Sequence, residues 1–245
     1  ANGQVTLTQT LIGTALDISG DIDVDGTSNL DAIDVDGTAN FAADATFAAD
    51  IITATAGTSN TRLGVNAGNS IVENGNYNVL VGGEAGTAIT EGDNNVAVGY
   101  QAGDALETGS NNVAIGFRAL SAEDGHGTNI AIGSDTLKVQ NAGVNAYNIA
   151  IGHDAGKAVS DGVQNTLIGG SAGLALTGGD GVVAIGYQAL MTEDGNGNSV
   201  AVGRQALRTQ NAGAEAYNVA VGNGAGYNVS TGVQNTLIGG SSGDA

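Results

Sequence analysis

The chain has 245 residues, 42 of them glycine, and lacks proline, cysteine and tryptophan, so collagen, disulfide-stapled and thiol-based designs are excluded. Twenty-five acidic residues against six basic ones leave a net charge of −19, a field that repels phosphate backbones and anionic lipid heads; nucleic acid is not an expected partner. No run approaches the ~20 apolar residues of a membrane span, so membrane insertion is not expected either.

Residues 1–58 have their own rhythm. DVDGTSNLDAI (residues 23–33) is followed at once by DVDGTANFAAD (34–44), a period of 11. Ile22 and Val24 alternate with Asp21, Asp23 and Asp25, the mark of a half-buried strand. The first 60 residues hold nine aspartates and no lysine or arginine. A slim, acidic, highly solvated β-segment, stalk or β-prism is the expectation. Asp21, Asp23, Asp25 and Gly26 match the front half of an EF-hand loop, but the twelfth position is Ala32, where a bidentate glutamate belongs. The reading is an acidic strand face and no cofactor; Ca²⁺ on Asp21, Asp23 and Asp25 is the metal alternative.

From residue 59 the chain repeats. A short apolar run closed by glycine recurs at Gly64, Gly82, Gly99, Gly116, Gly133, Gly152, Gly169, Gly186, Gly203, Gly222 and Gly239, with spacings of 17 to 19 residues. Four coils sum to 70, and YNVLVGGEAG, YNIAIGHDAG and YNVAVGNGAG begin at Tyr77, Tyr147 and Tyr217. Eleven coils therefore fill residues 59–245, the second predicted domain. Within a coil, side chains alternate: Val113 and Ile115 on one face, Asn112 and Ala114 on the other. A second apolar stretch, such as Ala105-Leu106 or Ala158-Val159, predicts a second short strand before Gly/Asp/Asn turns bring the chain back. The predicted fold is an all-β parallel β-roll or β-solenoid. Asparagine stands four places before the closing glycine in nine of the eleven coils, which predicts a ladder of stacked amides.

Both strand faces are apolar, so both should be buried. The larger residues are assigned to the interior, with Val98, Ile115, Ile132 and Ile151 as one column. The opposite face, with Ala97, Ala114, Ala131, Ala150, Leu167, Ala184, Ala201, Ala220 and Leu237, is then the expected contact between copies. The corner after each glycine varies most. Its Tyr100, Phe117, Arg118, Tyr187 and Arg204 are the candidates for receptor contact along a shaft.

NNVAIGFRAL (111–120), NNVAVGYQAG (94–103) and NSVAVGRQAL (198–207) resemble the head repeats of trimeric autotransporter adhesins. That resemblance implies a left-handed roll, with three chains packed around an axis. LDISGDIDVDGTSNLDAIDVDGTANF (16–41) resembles segments of marine phage tail-fibre and other structural proteins. Together they imply a non-catalytic virion fibre, a homotrimer that adjoins other tail proteins and meets a host receptor, for instance a glycan. A bacterial cell-surface adhesin is the second reading. A polysaccharide-degrading tailspike is the third: Glu123-Asp124 and Glu193-Asp194 supply acid pairs, but there is no tryptophan for a sugar platform.

Overall fold

The computed structural model describes residues 56–244. The acidic β-segment expected over residues 1–58 and the Asp21, Asp23 and Asp25 set fall outside them, apart from residues 56–58. Each coil contributes one three-residue strand: β1 (Thr61–Leu63), β2 (Val79–Val81), β3 (Val96–Val98), β4 (Val113–Ile115), β5 (Ile130–Ile132), β6 (Ile149–Ile151), β7 (Thr166–Ile168), β8 (Val183–Ile185), β9 (Val200–Val202), β10 (Val219–Val221) and β11 (Thr236–Ile238). They form a single parallel sheet in sequence order. Register is held from coil to coil, with Val96 opposite Val113, Ala97 opposite Ala114 and Val98 opposite Ile115. This is a parallel β-solenoid of about ten turns, without a helix among the described residues.

The second strand expected in each coil does not form. The return wall is a chain of turns, yet it remains the hydrophobic wall. Ile89, Leu106, Leu120, Leu137, Val159, Leu176, Leu190 and Leu207 come from it, all fully buried. They face the middle residue of each strand, and this reverses the expected assignment of faces. Ala97, Ala114, Ala131, Ala150, Leu167, Ala184, Ala201 and Ala220 lie inside the roll with no exposure, and Leu237 packs on the same core. Val98, Ile115, Ile132 and Ile151 point outward, half-buried. The reason is the thinness of the roll. Ala97 and Leu106 belong to one buried core, and a Cβ built on Gly103 would stand 2.7 Å from Leu106 Cδ1 and 3.6 Å from Ala97 Cβ, so little space is left between the walls. A leucine from the return wall fills the gap, and alanine is what fits opposite it.

Glycine closes each strand for two reasons at once. At Gly116 φ is +131°, and a Cβ there would meet the Gly133 carbonyl oxygen at 2.4 Å. Closing glycines of successive coils are stacked backbone to backbone, and a side chain would pry the coils apart.

The asparagine column works as a two-way brace. Asn95 Nδ2 donates across its own coil to the Gly109 carbonyl at 2.7 Å, and its Oδ1 accepts the backbone N–H of Asn112 at 2.9 Å. Asn112 Oδ1 accepts from the Asn129 N–H in turn, at 3.0 Å. The ladder thus runs mainly from side chain to the next backbone rather than amide to amide. Among the described residues, Asn60–Asn78 and Asn218–Asn235 add direct side-chain pairs, at 3.2 and 3.1 Å. The first coil breaks the inner pattern with Arg62, whose Nε donates to the Ala67 carbonyl at 2.6 Å.

Candidate functional site

Three surfaces carry chemistry: the outward strand face, the corner row after the glycines, and the return loop at residues 123–126.

The outward face follows from period-two alternation. Of its twenty-two positions, the first and last of each strand, nineteen are Val, Ile or Leu and three are Thr. In the inner coils they are half-buried by their own neighbours; Val79 and Val221 near the ends reach 38% and 37% exposure. The sheet therefore presents two parallel aliphatic columns over its whole length. A stripe this long exceeds the scattered apolar exposure of ordinary soluble surfaces.

The corner row brings some receptor candidates together and leaves others apart. Tyr100 and Phe117 belong to successive coils, with ring centroids 5.9 Å apart and planes inclined by 16°. The Arg118 guanidinium lies 4.5 Å from the Phe117 centroid, and its Nε is 3.0 Å from Asp135 Oδ1. Asp135 also gathers Lys138 and Lys157, each at 3.8 Å, and Lys157 pairs with Asp154 at 2.9 Å. Half of the six cations of this acidic chain thus converge on one corner segment. Tyr187 and the exposed Arg204 stand on the same row, in the coils of β8 and β9, apart from the Tyr100–Phe117–Arg118 ring contacts. Beneath Tyr100, burial and the nearby Glu84 carboxylate push the Asp104 carboxyl above its ordinary range, and Asp104 Oδ1 has no hydrogen-bond donor. Glu84 also raises the Tyr100 hydroxyl.

The return loop holds Glu123-Asp124, one of the acid pairs of the tailspike alternative, together with His126. Glu123 is fully buried, and burial pushes its carboxyl up to about 7. Oε1 accepts the His126 N–H at 3.2 Å, while Oε2 has no donor. Glu123, Asp124 and His126 each offer one donor atom, all within 4.8 Å of one another. The loop is pinned from the preceding coil: Glu107, Thr108 and Gly109 donate their N–H groups to the Asp124 carbonyl at 2.7, 3.2 and 3.3 Å. Glu123-Asp124 and Glu193-Asp194 read as matching repeat features because they lie 70 apart. The legible signal was the one residue that differs within EDGHG and EDGNG, His126 against Asn196.

Comparisons with protein-family models, with curated proteins and with solved structures find no match.

Proposed function

We propose that this chain is a structural, non-catalytic module of an elongated homotrimeric fibre, a phage tail fibre or similar virion appendage that takes part in host adhesion. The observation that carries the reading is the outward sheet face. Nineteen aliphatic side chains in two straight columns, on a solenoid whose core is already filled by alanine and leucine, call for a flat apolar partner of the same length. A second copy in parallel has that shape, and a closed cyclic arrangement satisfies every copy equally. The resemblance of the coils to trimeric adhesin heads favours three-fold closure. The resemblance of residues 16–41 to phage structural proteins favours a virion, attached to other tail proteins, over a bacterial cell surface.

Receptor contact is assigned to the corner row, with the stacked Tyr100–Phe117 pair and Arg118 as its densest part. Two adjacent rings beside a guanidinium suit a sugar face with a neighbouring anionic group. The test of assembly is sedimentation equilibrium of the native chain. A trimer has three times 23.8 kDa, or 71.4 kDa. A stable folded species at the single-chain mass, over the micromolar range, would overturn the proposal.

A further inference from the structure

The 70-residue repeat supplies an internal comparison for the loop at Glu123. In the sister loop Glu193 is fully satisfied: Oε1 accepts Asn196 Nδ2 at 3.1 Å, and Oε2 accepts Gln210 Nε2 at 2.9 Å. Gln210 Nε2 is also held by Ser199 Oγ at 3.1 Å, and Gln210 Oε1 by Asn218 Nδ2 at 2.8 Å. Around Glu123 the same frame is present, with Gln140 Oε1 accepting Asn148 Nδ2 at 2.6 Å. Two substitutions undo the rest. Asn129 stands where the sister has Ser199, and Gln140 Nε2 finds no acceptor. His126 stands where the sister has Asn196, so the side-chain donor to Oε1 is gone. What remains is a fully buried carboxylate oxygen without a donor and a His126 Nδ1 without a partner, with Nδ1 3.7 Å from Glu123 Oε1. The exposed Asp124 carboxylate completes the trio.

The geometry points to a divalent transition-metal site of the zinc class, bound by Glu123, Asp124 and His126 with solvent completing the shell. One imidazole and two carboxylates form a donor set that zinc accepts, at metal–ligand distances of about 2.0–2.2 Å. Donors around such an ion stand roughly 3.3–3.6 Å apart in a tetrahedron, so a set spread over at most 4.8 Å closes by turning the exposed Asp124 side chain. Calcium is disfavoured, because it takes ~6–8 oxygens and the trio offers one nitrogen and few oxygens. The backbone already holds the loop in shape. A Cβ on Gly127 would stand 1.7 Å from the Ser110 carbonyl oxygen, and one on Gly109 would stand 2.3 Å from that of His126. An ion neutralises the buried carboxylate that the sister loop satisfies with Gln210.

The test is calorimetric titration of the full chain, stripped with EDTA, with zinc chloride and in parallel with calcium chloride. The expected result is one zinc per chain in the micromolar range or tighter, above the diffuse uptake of the surface carboxylates. His126→Asn rewrites the loop to its sister's sequence and so keeps a side chain the fold already accommodates. It should weaken that site at least tenfold, while Glu193→Gln leaves it unchanged. Zinc should raise the melting temperature of the native chain and not that of His126→Asn. Equal zinc uptake by the native chain and His126→Asn, no stoichiometric zinc at all, or calcium bound as tightly at the same site would each overturn the proposal.

Discussion

Gly116 and Gly195 occupy the same solenoid and should answer substitution very differently. Gly116 combines a φ of +131° with a stacked carbonyl 2.4 Å from any added Cβ. Gly116→Ala therefore strains the backbone and separates two coils, at a cost of about 2 kcal/mol or more. Gly195 has nothing within 4 Å of an added Cβ, so Gly195→Ala should stay within about 0.5 kcal/mol of native. Urea unfolding of the two variants checks the contrast; equal midpoints would contradict it. Asp104 provides a second reading at this scale. Its carboxyl is raised chiefly by burial, with Glu84 adding repulsion. A raised acid stabilises the fold most when protonated. Its contribution is complete below the unfolded value near 3.8 and is lost as pH rises through the higher folded value. Asp104→Asn should therefore gain stability relative to native as pH climbs from 4 toward neutrality, with the two chains converging at lower pH. Parallel thermal melts across that range measure the difference.

At the scale of the element, each strand is only three residues long and owes its place to what flanks it. Asn95 illustrates the dependence. Replacing it with leucine leaves the Gly109 carbonyl and the Asn112 N–H without their partners inside the roll. Each orphaned buried group costs about 1–3 kcal/mol, so Asn95→Leu should lower stability by several times the effect of a surface substitution. Hydrogen exchange should show the loss concentrated in β3 and β4; uniform loss over all strands would contradict the brace. The strands themselves were legible, because a glycine-closed apolar triplet at 17-to-19-residue spacing has few other meanings: all eleven triplets from Thr61–Leu63 to Thr236–Ile238 became the eleven strands. Their faces were misjudged. Alternation separates Ala114 from Val113 and Ile115, but it does not say which side is inside. That choice depends on the return wall, and Leu106 and Leu120 lie in turns whose packing no local pattern reveals. The expected second strand failed for a related reason. Residues such as Gly103 and Leu120, at φ of +54° and +52°, take left-handed conformations that a strand excludes. The loop at Glu123 is hidden differently: it differs from the sister loop at His126, in place of Asn196, and at Asn129, in place of Ser199, and the change shows in Gln140 of the following coil, whose Nε2 lacks the acceptor that Gln210 has.

For the whole molecule, the reversal of faces changes where an assembly would be broken. The alanine column is core, so a charge placed there attacks the fold. The valine and isoleucine columns are surface in the single chain, so a charge placed there attacks only the association. Ala131→Glu buries an unpaired carboxylate against the return wall and should unfold its coils. Ile132→Glu, one residue further on, projects outward from the same strand and should leave the roll intact. In a three-fold fibre three such glutamates would meet beside one another around the axis, where like charges cannot be solvated. The decisive measurement is sedimentation equilibrium of Ile132→Glu beside the native chain, with circular dichroism on the same samples. The account predicts a native trimer and an Ile132→Glu monomer whose β signal is preserved. An Ile132→Glu chain that sediments at the same multiple as the native one would contradict it.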